Sequence, residues 1–95
     1  MSVSPENMQA SQNEVREKIR RNILENYLFT DDPAALNDAD SFLEKGIIDS
    51  TGILELIYFM EDEFGIKVQD EEMIPENLDS VDNLIAFVAR KLNSD

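Results

Sequence analysis

The stretch Ser50-Thr51-Gly52-Ile53-Leu54-Glu55-Leu56-Ile57-Tyr58-Phe59-Met60-Glu61-Asp62-Glu63-Phe64-Gly65 decides the fold class. Stepped at about 100° per residue, Ile53, Leu56, Ile57, Met60 and Phe64 fall on one stripe, the pattern of a helix with a single buried face. Gly65 tolerates the left-handed backbone that closes a helix and so predicts its end. Leu54 and Tyr58, four residues apart, lie off the stripe on the side of Ser50 and are expected at the surface.

Upstream, Gly46 breaks the chain before Ile47-Ile48, an apolar pair able to plug a loop onto the core. A long loop is predicted from about Thr30 to Asp49, with a short helical turn at the capping-box spacing Ser41/Glu44. Before it, Val15, Ile19, Ile23, Leu24, Tyr27 and Leu28 recur at helical steps behind a second capping box, Ser11/Glu14. Asp31-Asp32-Pro33 is expected to end that first helix, since proline disfavours helical backbone in the residue before it. Residues 1–10 show no period and are expected to fray, with residues 11–95 forming one domain.

Downstream, Ile66-Lys67-Val68 reads as an extended connector. Asp70 to Met73 reads as one short turn stopped before Pro75. Asp79-Ser80 then opens a last helix with Val81, Leu84, Ile85, Val88 and Leu92 on one face. No segment alternates as a strand would. The expected fold is all-α: a four-helix bundle of three longer helices and a short third one, with a long loop between the first two.

Composition narrows function. The 95 residues contain no Cys, His or Trp, which removes the thiol nucleophile and the commonest general base and metal ligand. An autonomous enzyme is not expected. The net charge is −13, and residues 40–80 hold 12 acids against 2 bases. Such a surface repels nucleic acid and anionic membranes and favours partners with basic faces. No apolar run approaches the ~18 residues of a membrane span, and no signal-peptide pattern opens the chain. A cytoplasmic monomer is expected.

Asp-Ser occurs three times, at Asp40-Ser41, Asp49-Ser50 and Asp79-Ser80. Serine ahead of an apolar periodic run is ordinarily a helix cap. Ser41 has Glu44 three residues on, and Ser80 opens the last helix. Ser50 has Ile53 there instead, so no capping box is completed, and Gly52 weakens the first turn. The absence of a side chain at Gly52 would let a partner backbone or a phosphate come close. A phosphate on Ser50 would also meet the free N–H groups of a helix start. The acids Glu61-Asp62-Glu63 stand where a helix dipole prefers cations, without visible compensation. These features leave a cap and an attachment point both open.

Gly46-Ile47-Ile48-Asp49-Ser50, Leu54-Glu55-Leu56 and Glu61-Asp62-Glu63-Phe64-Gly65-Ile66 resemble the motif around the modified serine of the acyl carrier protein family. Pro75-Glu76-Asn77-Leu78-Asp79-Ser80-Val81 resembles the run into that family's last helix. The resemblance implies a non-catalytic carrier with a 4'-phosphopantetheine arm on Ser50, added from coenzyme A by a phosphopantetheinyl transferase. An acyl or aminoacyl thioester would ride on the arm. It also implies that Asp49, Glu55, Glu61 and Asp62 meet the basic faces of partner enzymes, while Ile53, Leu56, Ile57, Met60 and Phe64 shelter an acyl chain; the off-stripe apolar pair Leu54 and Tyr58, with Thr51, is read as the rest of that docking surface. Thr51, Gly52 and Phe59 depart from the fatty-acid-synthesis pattern. The run Gly46-Ile47-Ile48-Asp49-Ser50 followed by Pro75-Glu76-Asn77-Leu78-Asp79-Ser80 resembles stand-alone carriers of specialised pathways, served by an adenylate-forming ligase or a dedicated acyltransferase. Two alternatives stand beside this reading. One is an unmodified acidic interaction module. The other is a calcium loop starting at Asp38, which fails on its own pattern because Leu43 would occupy the glycine position and Phe42 a ligand position.

Overall fold

Proline fits the first turn of a helix because the N–H it lacks would have no partner there. Pro5 opens α1 (Pro5–Ile23) in the computed structural model, which describes residues 5–93. The helix therefore starts six residues before Ser11, where the capping spacing placed it. Val15, Ile19 and Ile23 are buried along one face as their period requires. At Leu24–Leu28 the helix widens into a π-turn that keeps Leu24 buried and Tyr27 and Leu28 half-buried. It stops at Phe29, not at Asp31-Asp32-Pro33. Phe29 adopts left-handed backbone (φ 57°, ψ 44°), and its N–H bonds the Leu24 carbonyl. Asp32-Pro33 begins the next element instead: the Asp32 carboxylate accepts the Ala34 N–H at 3.0 Å and caps a 3₁₀ turn, Pro33–Ala35.

A loop this long between two helices needs internal anchors. Leu36, Phe42 and Ile48 are buried in the single core. Leu36 and Phe42 belong to no periodic segment, so sequence periodicity passed over them. Arg20 of α1 donates to the carbonyls of Pro33 (2.7 Å) and Leu36 (2.9 Å) and to the Asp38 carboxylate (2.6 Å). Arg16 also donates to Asp38. Two guanidinium groups on Asp38 and the complete burial of Phe42 remove the remaining basis for a calcium loop here. Ser41 starts the expected turn by accepting the Glu44 N–H at 3.1 Å, and Gly46 leaves it at φ 70°.

α2 (Ser50–Phe64) begins and ends where expected, with the Gly65 N–H bonded to the Glu61 carbonyl at 3.0 Å. Leu56, Ile57 and Met60 are buried, while Ile53, Phe59 and Phe64 pack half-buried against the core. The turn expected at Asp70–Met73 is a 3₁₀ turn (Asp70–Glu72), in which Gln69 and Glu72 cap each other. The short helix of the bundle is instead α3 (Pro75–Leu78). Pro75 stops the preceding turn and then occupies the first position of α3, one property of its ring serving both roles.

α4 (Val81–Asn93) starts on Ser80, whose hydroxyl accepts the Asn83 N–H at 3.1 Å. Val81, Leu84, Phe87 and Val88 are buried. Leu92, expected on that face, is 50% exposed; it lies in the last turn at the rim of a groove shared with Val15. Its expected share of the core is taken by Phe87. No strand occurs among the described residues, and no described helix is long and apolar enough to cross a membrane.

Candidate functional site

The three Asp-Ser pairs have three different fates. The Ser41 hydroxyl donates to the Asp79 carboxylate and caps its own turn. Ser80 is buried and caps α4. Ser50 caps nothing. Asp49 holds the cap position of α2, its carboxylate accepting the Gly52 N–H at 2.8 Å while its carbonyl accepts the Ile53 N–H at 2.9 Å. Ser50 is the first residue inside the helix, exposed, and its hydroxyl has no hydrogen-bond partner among the described residues. The N–H groups of Ser50 and Thr51 also lack described acceptors, as the first donors of a helix do. An exposed nucleophilic oxygen therefore stands at the positive end of a 15-residue helix.

Gly52 has a different role from the one its small size suggested. It is buried, and a Cβ there would lie 2.6 Å from Ile48 Cγ2 and 3.1 Å from Tyr27 Cε1. The close approach it permits is by the protein's own side chains. Tyr27 projects from the π-turn and donates its hydroxyl to the Gly52 carbonyl at 3.2 Å, with Glu55 Oε1 3.4 Å away. Burial, followed by the negative charges of Glu55 and Asp49, raises the Tyr27 pKa above the ordinary tyrosine range and keeps that hydroxyl a donor.

Beside Ser50 opens an apolar cleft of about 230 Å³. Ile53, Leu54 and Ile57 of α2 form one wall, Leu43 of the long loop another, and Met73 and Ile74 with α3 the third. Leu43, Leu54, Met73 and Ile74 are each 37–46% exposed, so large apolar side chains converge around this opening. Of the five stripe residues, Ile53 and Ile57 reach the cleft. Leu56 and Met60 are enclosed in the core, and Phe64 packs edge-on against Phe59 outside the cleft lining. Leu54, read as a docking residue, is also a cleft residue. Tyr58, 66% exposed, points away from both core and cleft. Leu43, Met73 and Ile74 were not singled out as lining a pocket from the sequence, because two short, non-periodic segments supply them. Tyr27 was read only as a core position, although its polar tip requires a partner when half-buried.

The acids at the end of α2 have compensation that the sequence did not display. Glu61 is half-buried and accepts the Val68 N–H at 2.9 Å, tying down the connector after the helix, and Glu63 pairs with Lys18 of α1 at 3.0 Å. Thr51 is exposed. Asp49, Glu55 and Asp62 are exposed and meet no cation at ion-pair distance among the described residues. No described group of His, Cys, Asp and Glu is arranged to hold a metal.

No protein-family model matches the chain. Two curated proteins do, over nearly their whole length. One, from Petrotoga mobilis, is 32% identical over 85 residues, which is 90% of this chain and 95% of that protein. The other, from Thermosynechococcus vestitus, is 34% identical over 82 residues, 86% of this chain and 96% of its own. Both are acyl carrier proteins.

Proposed function

This chain belongs to the acyl carrier protein family, and from that premise we propose that Ser50 carries a 4'-phosphopantetheine arm on which the protein hands an acyl or aminoacyl group between enzymes. One observation carries the assignment to Ser50. Of the three Asp-Ser serines it alone is exposed with an uncommitted hydroxyl, and it stands at a helix start beside an apolar cleft. The arm supplies the terminal thiol that a chain without cysteine lacks, and so can hold cargo as a thioester.

In the loading step Ser50 Oγ forms the new oxygen–phosphorus bond as the pyrophosphate bond of coenzyme A breaks. The adenosine 3',5'-bisphosphate half leaves, and the serine proton passes to a base on the phosphopantetheinyl transferase. The N–H groups of Ser50 and Thr51 and the dipole of α2 favour the resulting phosphodiester charge. Asp49 at the cap of α2, and Glu55 and Asp62 along it, are exposed without a cation partner among the described residues and steer basic enzyme faces, a transferase first and then an adenylate-forming ligase or acyltransferase. Thr51, Leu54 and Tyr58 complete that face, and Glu61 borders it. Ile53 and Ile57 line the cleft that would shelter an apolar cargo.

The test is intact mass spectrometry after incubation with coenzyme A and a broad-specificity transferase. The wild-type protein is expected to gain one arm and Ser50→Ala none. An arm on Ser41 or Ser80 refutes the assignment. A protein that gains no arm at all is instead an acidic interaction module.

A further inference from the structure

The first turn of α2 carries a glycine as its third residue, a residue that disfavours helix. Yet the Ser50 hydroxyl must be held in place to be modified efficiently. Beside the Asp49 cap, two further side chains outside the helix pack against Gly52. Ile48 presses on Gly52, and Tyr27 lays its ring edge beside Gly52 while hydrogen-bonding the Gly52 carbonyl. Tyr27 reaches this point from the π-turn of α1, where the helix widens. An alanine at position 52 would clash with Ile48 and crowd Tyr27. The glycine in the first turn of α2 and the π-turn at the end of α1 are therefore halves of one contact.

Building on the reading of Ser50 as the attachment site, we infer that Tyr27 is a positioning residue for it: the hydrogen bond from its hydroxyl to the Gly52 carbonyl fixes the first turn of α2 and so aims the Ser50 hydroxyl at the transferase. Tyr27 touches no reacting atom and acts through the backbone between Gly52 and Ser50. Placement of a nucleophile affects the chemical step more than the encounter, which depends on the exposed acids of α2.

The test uses the full chain with Tyr27→Phe, which keeps the ring against Gly52 and removes only the hydroxyl. Arm transfer from coenzyme A is followed at varied carrier concentration with a broad-specificity transferase. The kcat is expected to fall about three- to tenfold, the range one neutral hydrogen bond spans, with KM for the carrier little changed. In the unmodified protein, amide exchange at Gly52 and Ile53 should quicken several-fold while exchange within the second half of α2 stays as in wild type. An unchanged kcat overturns the inference. So does a rise in KM alone, which would assign Tyr27 to docking through Glu55. If the wild-type protein gains no arm, both readings fall. If it is modified at Ser50 and the variant keeps the wild-type kcat, the positioning role falls alone.

Discussion

The carboxylate of Asp79 accepts the backbone N–H of Leu43 at 3.1 Å, a bond spanning 36 residues of chain. The same carboxylate takes the Ser41 hydroxyl, and the Asp79 carbonyl accepts the Phe42 N–H at 2.9 Å. One residue at the entry to α4 thus holds the end of the long loop, and with it the Leu43 wall of the cleft. Asp79→Ala leaves the Leu43 donor and the Ser41 hydroxyl without this acceptor. It is expected to cost about 1–3 kcal/mol in urea unfolding. A loss below about 0.5 kcal/mol, the ordinary surface range, would show that the loop is held without the Asp79 carboxylate.

Asp49 and Ser50 separate cap from attachment point. Asp49→Ala removes the side chain that accepts the Gly52 N–H and should cost about 0.5–2 kcal/mol. Ser50→Ala removes a hydroxyl with no described partner and should change stability by no more than about 0.5 kcal/mol, with an unaltered helical circular-dichroism spectrum. Equal losses in the two variants would return the capping role to Ser50.

The acids of α2 divide in the same way. Glu55→Lys and Asp62→Lys, at exposed positions, should slow arm transfer and lessen its salt dependence while leaving the melting temperature nearly unchanged. Glu61→Ala strands the Val68 N–H and should destabilise by about 1–3 kcal/mol. A transfer rate indifferent to both charge reversals and salt would remove the steering role.

Leu54→Ala and Tyr58→Ala truncate residues 45% and 66% exposed. Each is expected to weaken recognition by transferase or ligase by about 1–2 kcal/mol. Leu56→Ala, in the core, should cost about 2–5 kcal/mol of stability. Leu54→Ala also widens the cleft, so cargo retention should respond to it and not to Tyr58→Ala. A Tyr58→Ala melting loss as large as that of Leu56→Ala would place Tyr58 in the core.

The Gln69 N–H and then the Lys91 ammonium, bonded to Glu72, hold its carboxyl below the ordinary glutamate range. A depressed folded-state pKa means that this contribution is complete above the unfolded-state value near 4.5 and is lost as pH falls through the folded-state value. Glu72→Gln should flatten the acid limb of stability below about pH 4.5. An acid limb identical to wild type would show that the bonds from the Gln69 N–H and Lys91 to Glu72 do not hold its carboxylate in solution.

Local chemistry was enough to determine α2 from end to end, because a stripe at helical steps, a cap residue and a closing glycine all act within a few residues of each other. The same locality marked Ser80 as the opening of the last helix and set Ser50 beside Gly52 with no Glu or Gln three residues on. The tertiary structure decided what depends on residues distant in sequence. Gly52 is small because Tyr27 and Ile48 press on it, not because a partner does. Leu36 and Phe42 are core because Arg20 and Asp79 fold the loop inward, and no periodicity marks a loop residue for burial. The cleft exists only where the long loop, α2 and the segment around α3 meet, so its lining could not be read from any one of them. Glu61 and Glu63 looked uncompensated because their partners, the Val68 N–H and Lys18, lie beyond the helix that carries them. Backbone propensity acts over one or two turns, whereas hydrogen-bond satisfaction and steric fit are settled only once the chain has closed on itself.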